Sequence, residues 1–99
     1  YWGDIDTHGF AILNRLRRYL PHARSFLMDR ATLDMHRSLC VQEPADRRFT
    51  GSLQNLDEPE QALYQALRVD TLGPRLRLEQ ERIGYAWLES FLDELVAGG

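Results

Sequence analysis

Lysine is absent from the chain, and cysteine occurs once, as Cys40. A lone thiol excludes an internal disulfide and any zinc site built from paired cysteines, and it fits a reducing, cytoplasmic setting. No apolar run approaches the ~20 residues that cross a bilayer, and no charged leader precedes an apolar segment, so neither a membrane span nor a signal peptide is legible. Positive charge is also short. Twelve arginines face 15 aspartates and glutamates, for a net charge of −3, which excludes a domain that grips nucleic acid by bulk positive potential alone. The balance is uneven along the chain, with eight arginines against six acids in residues 1–48 and four against nine in 49–99. Arginine suits bidentate phosphate contact, although a lysine-free chain is equally the mark of a GC-rich genome.

What is present suffices for one core. Of 99 residues, 43% are hydrophobic, enough for a single domain spanning 1–99. The apolar start at Tyr1-Trp2, without a polar leader, reads as a cut from the C-terminal part of a longer protein. Tyr1 to Ile5 is expected to be a short buried strand, and Thr7 then begins a helix with Phe10, Leu13, Leu16 and Leu20 at helical spacing, stopped by Pro21. Arg24 to Asp29 reads as a second strand and Ala31 to Leu39 as a second helix, giving β-α-β-α. Residues 41–56 mix Pro44, Gly51, Ser52 and Asn55 with charges in no period and read as loop. Asp57 and Glu60 form a capping box for a helix that turns Leu63, Tyr64 and Leu67 inward. After Gly73-Pro74, Arg75 to Glu79 alternates as a half-exposed strand near a sheet edge. A last helix, starting near Glu81, is expected to bury Ile83, Trp87, Leu88, Phe91, Leu92 and Leu95 before Gly98-Gly99 ends it. Strands interleaved with helices predict an α/β sheet with some parallel pairs, whose ligands gather beyond the carboxyl ends of the strands. That is where Asp4, Asp6 and Asp29 fall.

The chemistry centres on Gly3-Asp4-Ile5-Asp6-Thr7-His8-Gly9. Carboxylates two apart on a strand project to one face, where their repulsion is relieved by a hard cation with oxygen ligands. Mg²⁺ is commonly held by one or two carboxylates plus substrate phosphates. Gly9, in the first turn of the next helix, would let backbone N–H groups approach a phosphate. The structural alternative is that the aspartates cap the helix and solvate a loop. Asp29 is read as a helix cap. Arg15, Arg17 and Arg18 on the first helix, with Arg47 and Arg48 on the long loop, are candidates for DNA-backbone contact, against plain surface solvation. His8 is a candidate for phosphate contact or proton transfer, against an incidental position in a first helical turn. Tyr1, Tyr19, Tyr64 and Tyr85 are assigned to packing.

At these residues a family resemblance enters. Trp2-Gly-Asp-Ile-Asp-Thr-His-Gly-Phe-Ala-Ile-Leu13 resembles the Asp-Gly-Asp-Pro-x-Gly-x-x-Ile segment of Toprim domains in the topoisomerase VI A subunit and its meiotic relatives, with Thr7 in place of their proline. Tyr1 to Leu13, Ser25-Phe-Leu-Met-Asp29 with Thr32-Leu33, and Leu76-Arg-Leu-Glu-Gln-Glu-Arg-Ile83 are more similar still, in that order, to the C-terminal domain of JetD, the nuclease subunits of bacterial Wadjet plasmid-defence systems. The resemblance implies a Toprim-like (Rossmann-like), three-layer, partly parallel sheet with helices, and Mg²⁺-dependent cleavage of DNA phosphodiesters, with Mn²⁺ as a substitute. It implies DNA and a condensin-like SMC complex as partners, and it allows a homodimer. Asp4 and Asp6 match the Toprim Asp-x-Asp and would bind the metal. Toprim domains also use a glutamate on an earlier strand, which this sequence lacks because it begins three residues before Asp4. Glu79 and Glu81 are the next catalytic candidates, for a second metal or for steering water, if their strand lies beside the first. The alternative for them is a solvated strand end with local arginine pairing.

Two other functions compete. Asp4-Ile-Asp6-Thr7 also fits the Asp-x-Asp-x-Thr of haloacid-dehalogenase-type phosphotransferases, with Asp4 as nucleophile, but that motif usually requires a lysine further on. The third reading is a non-enzymatic α/β interaction module whose acidic second half docks a partner.

Overall fold

A computed structural model describes residues 1–98, the side chain of Arg47 excepted. Gly99, read above as part of the final stop, lies outside the described residues. Four helices surround a small antiparallel sheet: α1 (Thr7–Tyr19), α2 (Arg30–Met35), α3 (Glu58–Arg68) and α4 (Gln80–Gly98), with β1 (Val41–Gln42) and β2 (Leu76–Arg77). None of these helices is long and apolar enough to cross a membrane.

Each helix start follows from a carboxylate that satisfies an orphan backbone N–H. Asp6, in extended conformation, accepts from the N–H of Gly9 at 2.5 Å and opens α1; Asp29 accepts from Thr32 at 2.8 Å and opens α2, as expected of it. Asp57 and Glu60 form the expected capping box of α3. The Glu60 carboxylate also takes the Arg17 guanidinium and the Ser25 hydroxyl, which ties α1 to α3. Phe10 and Leu13 from α1 meet Leu63, Tyr64 and Leu67 from α3, and Ile5, Met28, Leu33, Leu53, Leu78 and Ile83 complete the core.

The sheet carries the site. Val41 pairs with Arg77 and Gln42 with Leu76, antiparallel, and Glu43 N–H extends the ladder by donating to the Arg75 carbonyl at 2.6 Å. Leu78 exchanges both backbone hydrogen bonds with Ile5, at 2.9 and 3.0 Å, in an antiparallel bridge. Successive residues of a strand turn their backbone groups to opposite edges, so segment 75–78 lies between β1 and Ile5 rather than at the sheet edge expected for it. Ile5 and Leu78 face the core, fully buried. By alternation Asp4, Asp6, Glu43, Arg77 and Glu79 share the other face.

Several expectations differ. Tyr1–Ile5 pairs as a strand only at the Ile5 bridge, the second helix ends at Met35 and passes into a 3-10 turn at Arg37–Leu39, and the named sheet among the described residues is two-stranded and antiparallel rather than the partly parallel, three-layer sheet expected. Arg24–Asp29 is not a strand, because Leu27 takes a left-handed φ of 56° that ends extension. Its start nevertheless lies along Tyr1: the Tyr1 amine donates to the Arg24 carbonyl at 2.7 Å and Phe26 N–H to the Tyr1 carbonyl at 2.8 Å, the pattern of one parallel rung around Ser25. The expected loop at 41–56 holds β1 and a 3-10 turn at Ala45–Arg47. In α4 only Ile83 of the expected inward residues is buried; Trp87, Leu88, Phe91, Leu92 and Leu95 are exposed, Trp87 to 65%. The helix touches the body at its first turns, where Gly84 passes Trp2, and then runs beyond it.

Candidate functional site

Asp4 and Asp6 leave the Ile5 bridge on the same face, and the two ends of each carboxylate do different work. Asp4 Oδ1 accepts from the N–H of Gln80 at 2.7 Å, capping α4 from across the sheet, and Asp6 Oδ1 caps α1. Their Oδ2 atoms both turn to Arg77. Its Nη2 donates to Asp4 at 3.0 Å, and its Nε stands 3.4 Å from Asp6. The Nε contact is an ion pair without hydrogen-bond alignment, so this buried N–H has no hydrogen-bond partner. The capping alternative and the paired-carboxylate reading are therefore compatible, because each aspartate does both.

Glu43 is the residue that sequence reasoning missed. It is 1% exposed, behind α1, where it accepts from the Thr7 hydroxyl and from the N–H of His8 at 3.1 Å. The Thr7 oxygen in turn accepts from Phe49 N–H at 2.8 Å. Glu43 lies in an aperiodic segment that offered no signal beyond its charge. Arg77 had one, as the polar member of the Arg75–Glu79 alternation.

Burial pushes the Asp6 carboxyl up to about 6, and the charges of Glu43 and Asp4 add to that; the Gly9 N–H and Arg77 act against it. Burial works against the Arg77 charge, but Asp4, Asp6 and Glu79 outweigh it and raise its pKa. Burial and then the same two aspartates raise the Tyr1 phenol, which places its ring in the field of the pair. Gly9 is required by close approach: a Cβ there would collide with the Asp4 carbonyl oxygen. Its N–H is taken by Asp6, so it does not wait for a phosphate as expected.

The other candidates divide. Glu79 sits at the end of the shared face, near enough for its charge to act on Arg77, whereas Glu81 is exposed in the first turn of α4. The structure brings Asp4 and Asp6 together at Arg77, whereas among the described residues neither Glu79 nor Glu81 forms an ion pair with it. Arg17 is committed to Glu60, and Arg48 to Asp70 at 2.9 Å, so neither is free to meet a ligand. Arg15, Arg18 and exposed His8 line a groove of about 380 Å³ along α1, opposite Phe49 and Ser52. The Arg47 side chain lies outside what is described.

Among the described residues no three His, Cys, Asp or Glu side chains gather as a metal site. Asp4 and Asp6 thus form a two-carboxylate set, which suits Mg²⁺, an ion that retains waters and takes substrate oxygens as its remaining ligands. The cation that faces both Oδ2 atoms in this structure is the Arg77 guanidinium, at 3.0 and 3.4 Å. A search of curated proteins finds no match. The family model described as "Wadjet protein JetD, C-terminal" matches residues 1–92, nearly the whole length, and the chain belongs to that family.

Proposed function

We propose that this chain is the aspartate-bearing part of a Toprim-like, Mg²⁺-dependent DNA endonuclease domain that acts in plasmid defence beside a condensin-like SMC complex. The observation that carries the reading is the convergence of Asp4 Oδ2 and Asp6 Oδ2 on one cationic group, with their other oxygens locked by the starts of α4 and α1. The chain on either side of α1 makes one bridge at Ile5 and one parallel rung at Ser25 beside Tyr1, and the Toprim reading takes these as the remnants of a β-α-β unit with the aspartates at the end of its first strand.

Asp4 and Asp6 would hold the metal through their Oδ2 atoms. Bound there, Mg²⁺ supplies Lewis-acid polarisation of the scissile phosphate and neutralises charge at the leaving oxygen. Glu43 holds Thr7 and the first turn of α1, so that Asp6 keeps its orientation. Arg15 and Arg18, along the groove that begins at His8, would bind the phosphates flanking the cut and set the register of the strand. Glu79, on the same face by alternation, would steer a water, and exposed Glu81 on α4 takes no part.

Asp4→Asn and Asp6→Asn in the full-length protein test this. Asparagine still caps a helix, so the fold should survive while cleavage of supercoiled plasmid falls by more than about 100-fold. Cutting at the wild-type rate by either variant would reject the reading.

A further inference from the structure

We propose that Arg77 is a tethered counter-cation that competes with the divalent ion for the Asp4–Asp6 pair and is expelled when the ion enters, so that it sets the ion concentration at which the site fills. The inference rests on the metal-ligand reading of the pair. Of the four carboxylate oxygens, the two Oδ1 atoms are taken by Gln80 and Gly9 N–H groups. The two left for a ligand are the Oδ2 atoms that Arg77 faces at 3.0 and 3.4 Å. Ion and guanidinium cannot both hold the same lone pairs at contact distance, so binding one displaces the other.

Arg77 holds the pair with a single aligned contact, which an entering ion can replace. One aligned hydrogen bond, from Nη2, holds it to the pair, while its buried Nε–H goes unmatched. Its side chain is 21% exposed, which leaves a way out. Glu79 lies two residues on along the same face. The device also keeps the ion-free domain intact: without Arg77 or a metal, Asp4, Asp6 and Glu43 would repel one another with no cation among them.

The test is Mn²⁺ binding to the full-length protein, followed by the loss of the free-ion electron paramagnetic resonance signal, in wild type, Arg77→Gln, Arg77→Lys and Asp4→Asn. Arg77→Gln is expected to bind Mn²⁺ about tenfold more tightly than wild type. Arg77→Lys, which keeps the charge but loses the planar fork, should bind more tightly than wild type and less tightly than Arg77→Gln, and carries the test if circular dichroism shows the glutamine variant unfolded. Equal or weaker binding by the Arg77 variants, with Asp4→Asn abolishing it, overturns the competition and leaves the metal pair standing. Binding that is absent in wild type and Arg77 variants alike, or that is unaffected by Asp4→Asn, removes the metal reading and this inference together.

Discussion

Asp6 shows how one side chain serves local structure and a shared site at once. Its Oδ1 caps α1 and its Oδ2 faces Arg77, in a place 3% exposed beside Glu43 and Asp4. Burial, with those two charges, lifts its carboxyl to about 6 from an ordinary 3.8. Between those values the folded chain keeps a proton that the unfolded chain has released. The ionised form therefore costs the native state up to about 3 kcal/mol, a cost absent below pH 3.8, growing as pH rises toward 6 and complete above it. Asp6→Asn keeps the cap and removes the charge. Its thermal midpoint relative to wild type should rise as pH increases through that window, and a difference that stays flat from pH 3.8 to above 6 would show that the carboxyl is not so perturbed. At this scale Asp4 and Asp6 were legible because spacing by two on a strand puts side chains on one face. Glu43 was not, because its neighbours Thr7 and His8 are 36 and 35 residues away and meet it only through the pairing of β1 with β2 and the Ile5–Leu78 bridge.

Helices with local start signals were legible as elements. The box at the start of α3 satisfies two backbone donors reciprocally, at 2.9 Å each. Asp57→Ala should lower stability by about 1 kcal/mol, seen as a lower urea midpoint with an unchanged slope; no shift would mean that Pro59 and the tertiary grip on Glu60 start the helix unaided. The segment 24–29 has strand-like composition but bends at Leu27, and a backbone turn of that kind carries no fixed residue signature outside glycine. The edge position expected for segment 75–79 failed for a related reason. Alternation reports which residues face a core, and it says nothing about how many neighbours a strand has.

Over the whole molecule, 49 × 31 × 22 Å, apolar residues divide between a core that is filled and a helix face that is not. Leu63 is 4% exposed among Phe10, Leu13 and Tyr64, whereas Leu92 on α4 is 49% exposed. Leu63→Ala should therefore cost about 2–5 kcal/mol through the cavity it leaves, while Leu92→Glu in this chain should stay within about 0.5 kcal/mol of wild type. Equal losses in chemical unfolding would mean that α4 packs on the body. Hydrophobic periodicity predicted both faces alike, since it records that a stripe can be buried without naming what covers it. By itself the sequence determined the helices as elements, the caps of α2 and α3, the stripe of α3, and the pairing of Asp4 with Asp6, because each depends on residues within about one helical turn or two strand positions. Only the tertiary structure decided that Arg77 stands between the aspartates, that Glu43 lies behind them and that most of α4 is uncovered. Those contacts join residues 35 or more positions apart, or fail to form, and strand register and core volume rather than local preference choose between the two outcomes.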